Sequence, residues 1–281
     1  MTKSPMFNRY VRFAQLAYRA AQATFPKFRH KKSKKTFTQP QLIACVLLKM
    51  YLNVGYRDGE DRLRATDQVR QVLELQTVPD HTTLHRAFGR LTETRARQLL
   101  ESVLADLDVR EDVIAGDSTG FTLSSAGAYY RTRSGKAYRG WVKGSYAVGT
   151  QSRLIPVARA GRGNTPSDAR LLEPLRNGAQ AYARGQDWVF LADAGLDGQA
   201  VGERDLIPPI RRGGKLVAPE RKARADLVAQ ARLDGLFGQR WKTETVHSVI
   251  KRKFGGDIRS RLSQRQDREP LIKAVVYNLY R

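Results

Sequence analysis

The chain has 281 residues, 50 Lys plus Arg against 27 Asp plus Glu, a formal net charge of +23 and a pI near 10.5. That field selects a polyanion, either nucleic acid or an anionic surface, and a ribosome-associated or membrane-surface protein would share it. Membrane insertion is not expected: apolar runs such as Leu42 to Leu48 are too short to span, and no signal peptide opens the chain.

Helical periods come first in chain order, over Phe7 to Ala23, Gln39 to Leu52, Asp61 to Leu73, His81 to Leu91 and Ala96 to Leu107, with no strand pattern among them. The first two are separated by Lys27-Phe-Arg-His-Lys-Lys-Ser-Lys-Lys35. This connector reads either as a solvated linker or as a phosphate-contacting segment. The lone Cys45 falls in an apolar helix, where it can form neither an internal disulfide nor a zinc or redox pair, and it fits a reducing cytoplasm.

The His81 to Leu91 helix has Asp80 or Thr82 as cap candidates and a core face of Leu84, Ala87, Phe88 and Leu91. As the second helix of a helix-turn-helix, supported by Asp61 to Leu73, it turns Thr82, Thr83, His85 and Arg86 toward DNA. A helical bundle without DNA contacts fits the same pattern. His81 and His85 lie four apart but lack a third metal ligand, so a structural or DNA-facing role is expected for them.

Strands and helices alternate from Val113 onward. Val113 to Phe121, Val142 to Val148 and Arg153 to Ala160 read as an antiparallel meander, Ser167 to Ala183 as a helix, and Trp188 to Asp193 as a further strand. Asp205 to Ile210 reads as a short strand that its two prolines confine to an edge or a bend. Arg221 to Leu236, Gly238 to Phe254 and Pro270 to Tyr280 complete the helices. Tyr129 to Lys136, with Tyr138 and Trp141, interleaves aromatic and basic residues, as single-strand sites and basic hairpin tips both do. The loop holding Arg211, Arg212 and Lys215 is a cationic DNA holder or an exposed turn.

Two aspartates close apolar strands: Asp117 in Val113-Ile-Ala-Gly-Asp117-Ser-Thr-Gly-Phe121, and Asp193 in Trp188-Val-Phe-Leu-Ala-Asp193-Ala-Gly195. Asp is depleted in strands and expensive to bury unpaired. Each taken singly has an ordinary reading, an Asx turn at Asp117 or a helix cap at Asp193 or Asp197. A third carboxylate lies in Phe237-Gly-Gln-Arg240-Trp-Lys-Thr-Glu244-Thr-Val-His-Ser-Val-Ile-Lys251. At 100° per residue Phe237, Arg240, Glu244 and Lys251 share one helical face, and Val246, Val249 and Ile250 point to a core. Read alone, that face is a set of intrahelical ion pairs. Combined with the two strand-end aspartates, it reads as a three-carboxylate site for two hard divalent cations, with Arg240 and Lys251 on nearby phosphates. Trp241 offers a stacking surface for a base or a core side chain. His247 falls outside the functional offsets.

These residues resemble the DDE transposases of bacterial insertion sequences, in the group commonly numbered four and five. Its Tyr-x2-Arg-x3-Glu-x6-Lys signature matches Arg240, Glu244 and Lys251, with Phe237 in place of the Tyr. The Phe keeps the ring and lacks the hydroxyl. The resemblance implies an α/β fold, in which a ribonuclease-H-like catalytic domain with a mixed sheet flanked by helices (residues 109–281) follows an all-helical, basic DNA-binding region (residues 1–108). It implies Asp117, Asp193 and Glu244 as catalytic and metal-binding carboxylates, and two Mg²⁺ ions with Mn²⁺ as a substitute. DNA is the implied partner, as element terminal inverted repeats and target, with a homodimer assembled on it. A cytoplasmic, nucleoid-associated protein is expected. Two other readings are a catalytically silent DNA-binding derivative and a metal nuclease that cuts without joining.

Overall fold

Local capping signals set the helix starts of the amino-terminal part. Helix α1 (Arg9–Thr24) is capped by the Asn8 side chain, which accepts from the Tyr10 N–H. Helix α2 (Gln39–Tyr51) begins with a reciprocal capping box between Thr38 and Gln41 and carries Pro40 in its first turn. Helices α3 (Tyr56–Ala65), α4 (Asp67–Val72), α5 (His81–Arg90) and α6 (Glu93–Ala105) follow. The computed structural model describes residues 8–32, 34–105, 107–123, 140–162, 167–198, 201–211, 213 and 216–281. By its contacts the chain forms two compact units, one of residues 1–107, 253–255 and 272–281, the other of residues 108–252 and 256–271.

The single helix expected over Asp61 to Leu73 is instead two, broken at Thr66. There the backbone is extended (φ −125°, ψ 89°) and the hydroxyl donates to the Arg62 carbonyl at 2.9 Å, competing with helix continuation. Arg70 reaches back to the carbonyls of Leu63 and Arg64 and so satisfies the freed end of α3. The core of this first unit is built on α2, buried without interruption from Pro40 to Met50, against the alanine stripe Ala14, Ala17 and Ala21 of α1. Phe13 stacks on Tyr51 at 4.2 Å. Phe254 and Tyr280 belong to the same cluster of rings, and Lys273 donates to the carbonyls of Phe254 and Gly255.

The second unit is a mixed sheet between helices. Strand β1 (Val113–Leu123) pairs antiparallel with β2 (Trp141–Gly149), which pairs antiparallel with β3 (Val157–Arg162). On its other side β1 pairs parallel with β4 (Val189–Ala192), giving the order β3-β2-β1-β4, and the two-residue β5 (Asp257–Ile258) runs parallel to the end of β1. Helix α7 (Asp168–Gln180) packs Leu171, Leu172 and Leu175 over one face, with Ile114, Ala147 and Phe190 beneath. Helix α8 (Pro219–Leu233) covers the other, its Val228 and Ala231 meeting Ala115, Leu191 and Leu206. Residues alternate between the two faces along β1, so Asp117 shares the α8 side with Ala115. Helices α9 (Trp241–Phe254), α10 (Ser263–Gln266) and α11 (Glu269–Tyr280) close the chain. A mixed sheet flanked by helices, with a meander leading into a parallel β4, fits the ribonuclease-H-like architecture expected from the sequence.

Two local expectations change. The edge strand at Asp205 to Ile210 reduces to one parallel bridge between Leu191 and Leu206, because Pro208 and Pro209 have no N–H to continue a ladder. The helix expected from Arg221 to Leu236 ends earlier, with Gly235 left-handed at φ +74°. Residues Phe237–Arg240 then form a 3₁₀ turn ahead of α9.

Candidate active site

Parallel pairing places Gly116 beside Ala192, so the next residues, Asp117 within β1 and Asp193 just past the end of β4, follow side by side. The strand spacing of ~4.8 Å sets their separation in backbone terms. Asp117 stays within β1, its side chain 16% exposed, and receives the Ser118 N–H at 2.8 Å. Asp193 is exposed where β4 ends and caps a 3₁₀ turn (Ala194–Leu196) by accepting from the Gly195 N–H at 2.9 Å. The capping role anticipated for Asp193 and its place beside Asp117 therefore coexist.

Burial raises the Asp117 carboxyl above the usual range, and the neighbouring Asp193 charge raises it further. The Ser118 N–H, Arg240 and Thr243 act in the opposite direction. A carboxylate so placed favours any added cation. Helix α9 faces this pair. Its Thr243, fully buried, donates to Asp117 Oδ2 at 3.3 Å and to the Arg240 carbonyl at 2.8 Å. Arg240 stands between two carboxylates, with Nη1 3.8 Å from Asp117 Oδ2 and Nη2 3.2 Å from Glu244 Oε1. Glu244 is 63% exposed. Among the described residues no three Asp, Glu, His or Cys side chains converge in a metal-holding group. The oxygen donors present nevertheless suit a hard divalent ion: Asp117 and Asp193 lie side by side with their charges incompletely compensated, and Glu244 shares Arg240 with Asp117.

His247 is the residue whose place sequence spacing did not foresee. It is buried, its ring 5.6 Å from that of Tyr146, with Nδ1 3.8 Å from Asp117 Oδ2 and Nε2 without a hydrogen-bond partner. Burial, and secondarily the charge of Lys251, pushes its pKa down to about 4, so the imidazole is neutral at pH 7. The available signal was a polar pair on a core stripe: Thr243, His247 and Ile250 are spaced by four and three. Tyr146, wholly buried opposite Asp117 in the β1–β2 register, donates to the Pro270 carbonyl at 3.1 Å.

The remaining predicted residues are dispersed. Lys251 holds Nζ 5.8 Å from the Phe121 ring centroid, on the Glu244 helix. Trp241 is 52% exposed, which leaves its indole face open. Phe237 is half-buried against the Ala115, Leu191, Leu206, Val228 and Ala231 cluster, with the Arg232 guanidinium 5.1 Å from its centroid. Arg211 is exposed, and Arg212 and Lys215 lie outside the described residues, as does the Tyr129 to Lys136 segment with Tyr138. Thr82, Thr83, His85 and Arg86 lie on α5, in the other unit, with Asp80 capping it through the N–H groups of Thr82 and Thr83.

Asp197, four residues after Asp193, is buried in an ion cluster with Arg221, at 2.7 Å, and Arg224, and accepts from the Ile210 N–H at 2.8 Å. It ties the turn carrying Asp193 to the first half of α8.

Asp117 within β1 and Asp193 just after the neighbouring β4 lie in a mixed sheet flanked by helices, a fold that fits a DDE, ribonuclease-H-like domain, with Arg240 and Glu244 beside Asp117. The family described as Transposase DDE domain matches residues 109–279, more than half of the chain. The chain belongs to this family of DDE transposases, nucleotidyl-transfer enzymes of DNA transposition and recombination that bind DNA and generally use divalent metals. A comparison with curated proteins found no match. No helix among the described residues is long and apolar enough to cross a membrane.

Proposed function

We infer that this transposase cuts DNA at the ends of an insertion element and joins those ends to target DNA, with Asp117, Asp193 and Glu244 as its catalytic carboxylates. The observation that carries the reading is the adjacency of half-buried Asp117 and strand-end Asp193, opposite Arg240 at the end of the 3₁₀ turn and Thr243 and Glu244 on α9. The three carboxylates would hold divalent cations, two Mg²⁺ with Mn²⁺ as a substitute, which supply an activated oxygen nucleophile and neutralise charge on the leaving oxygen.

The chain's own groups supply orientation and charge. The Ser118 N–H and Thr243 hydroxyl fix the Asp117 carboxylate from two sides. Arg240 is the only cation within ion-pair distance of both Asp117 and Glu244 among the described residues, so release of these partners frees its guanidinium for bidentate contact with phosphate. Lys251 adds a compact positive charge to the same helix. Phe237 holds the turn that delivers Arg240 by packing into the apolar cluster. Trp241 presents an exposed indole next to Arg240, suited to a displaced base. Arg211, Arg212 and Lys215 are assigned to DNA contact on the charge of their sequence segment. Residues 1–108 act as the DNA-binding region and 109–281 as the catalytic domain, two subunits act on two DNA ends, and the protein resides with the nucleoid.

The test is cleavage of labelled element-end DNA in the presence of Mg²⁺ by the wild type and by Asp117→Asn, Asp193→Asn and Glu244→Gln. Loss of cutting in each variant, with DNA binding retained, supports the assignment. Full cutting by any one of them removes that residue from the catalytic set.

A further inference from the structure

In the helical unit, the connector between α1 and α2 and the exposed side of α5 enclose a cleft that neither the family assignment nor the carboxylate site accounts for. Its volume is about 400 Å³, within the range of ~300–1,000 Å³ that small-molecule sites occupy. The backbone makes it: the Gln39 N–H donates to the Lys27 carbonyl at 2.9 Å and the Gln39 side chain to Pro26, which folds the connector back over the start of α2. Facing it, Asp80 caps α5 and thereby fixes Thr83 and the turn above it, Arg86 and Arg90.

Its lining has an unusual composition. Arg29, Lys34, Arg86 and Arg90 contribute four cations, all exposed, and no acidic side chain lines the cleft. None of the four makes an ion pair or hydrogen bond among the described residues. Two half-buried rings, Phe28 and Phe37, form the apolar wall, and the Lys27 ammonium sits 5.9 Å from the Phe28 centroid. Four uncompensated cations with two partly open rings match an anion joined to a flat apolar group. The backbone of an intact duplex offers the anion but keeps its bases stacked inside. An unpaired nucleotide offers both.

We propose that this cleft binds an unpaired nucleotide of a DNA end, with its phosphate among Arg29, Lys34, Arg86 and Arg90 and its base against Phe28 or Phe37. The proposal rests on the reading of the protein as a DNA-acting transposase, and deepens it by giving the helical unit a preference for frayed or tailed ends over blunt ones.

The test is equilibrium binding in EDTA, by fluorescence anisotropy, to three forms of one short duplex: blunt, with a short unpaired tail, and with an abasic tail of equal charge. The wild type is expected to bind the tailed form about five- to a hundred-fold more tightly than the abasic form, the range expected for one base stacked on an aromatic side chain. Phe28→Leu and Phe37→Leu narrow that difference, and Arg86→Gln with Arg90→Gln weakens binding to every form and flattens its fall with salt. Equal affinity of the wild type for the tailed and abasic forms overturns the proposal, as does an undiminished difference in both Phe variants. If the Phe variants melt early, the exposed Arg86→Gln/Arg90→Gln pair decides: unchanged affinity and salt dependence overturn the site. Because no metal is present, the result is separate from catalysis. Tail preference without DNA joining would contradict only the transposase reading, and joining without tail preference only this one.

Discussion

At the scale of single residues, Asp117 is where stability and function oppose each other. Its carboxyl is raised by burial and by Asp193, so the folded protein holds that proton more tightly than the unfolded chain. The resulting destabilisation is absent at pH values where both states are protonated. It sets in as pH climbs past the unfolded-chain value near 4, and is full above the folded value. Asp117→Asn is therefore expected to raise the melting temperature of the metal-free protein at pH 7 while abolishing cutting. Mg²⁺ is expected to raise the melting temperature of the wild type and to have little effect on the variant. A scan in EDTA and in Mg²⁺ checks both; a lower melting temperature for the variant in EDTA would count against the account.

His247 has the opposite sign. Its folded pKa of about 4 lies below the ordinary value near 6.5. The unfolded chain therefore takes up a proton first as pH falls, and stability drops between about pH 6.5 and 4 by on the order of 3 kcal/mol. His247→Gln should remove that part of the acid sensitivity in denaturant titrations at a series of pH values. An unchanged pH slope would mean that the ring opens to water before it protonates.

At the scale of elements, the sheet positions Asp117 through a close approach. A Cβ on Gly116 would come within 2.5 Å of the Phe190 ring, so β1 can lie against β4 here only without a side chain. Gly116→Ala should destabilise by ~1–3 kcal/mol through overpacking, measured by denaturant unfolding, and should lower cutting more than DNA binding because the strain falls next to Asp117. Asp197, buried between Arg221 and Arg224, holds the turn after β4 onto α8. Asp197→Ala removes the anion shared by both guanidiniums and the acceptor of the Ile210 N–H, leaving Arg221 only the Ile210 carbonyl among the described residues, with an expected loss of ~3 kcal/mol by the same measurement.

Much of this was legible in the sequence, and the reasons differ by element. The strands announced themselves because runs such as Val113-Ile-Ala and Trp188-Val-Phe-Leu-Ala are apolar and short; Asp193 stands at its strand's end as expected, whereas β1 runs on past Asp117 to Leu123, since its pairing with β2 carries the small and polar residues that looked like a turn. Arg240 and Glu244 met because i,i+4 spacing brings side chains together whether the preceding turn is α or 3₁₀. The packing of Phe237 was not read from the spacing, because it depends on which apolar residues of the sheet and of α8 lie beside that turn. The local period could place Thr243 and His247 on a core stripe but not beside Asp117, and the Asp197 cluster was out of reach, because those partners depend on which elements lie opposite, a tertiary fact that no local period encodes.

At the scale of the whole molecule, the +23 charge acts as a field. DNA binding should fall steeply with salt, with a slope of about −0.9 in log K against log salt per phosphate contacted, checked by anisotropy on a blunt duplex. A shallow slope would mean that most of the charge lies away from the DNA.

The central claim is that the three carboxylates transfer strands. Its most direct measurement follows joined products on DNA carrying the element ends and a target, in Mg²⁺, for the wild type beside Glu244→Gln. The account predicts joined products from the wild type and none from the variant, with equal DNA binding by both. Tight binding by both proteins with no joined or cut product from either would contradict it.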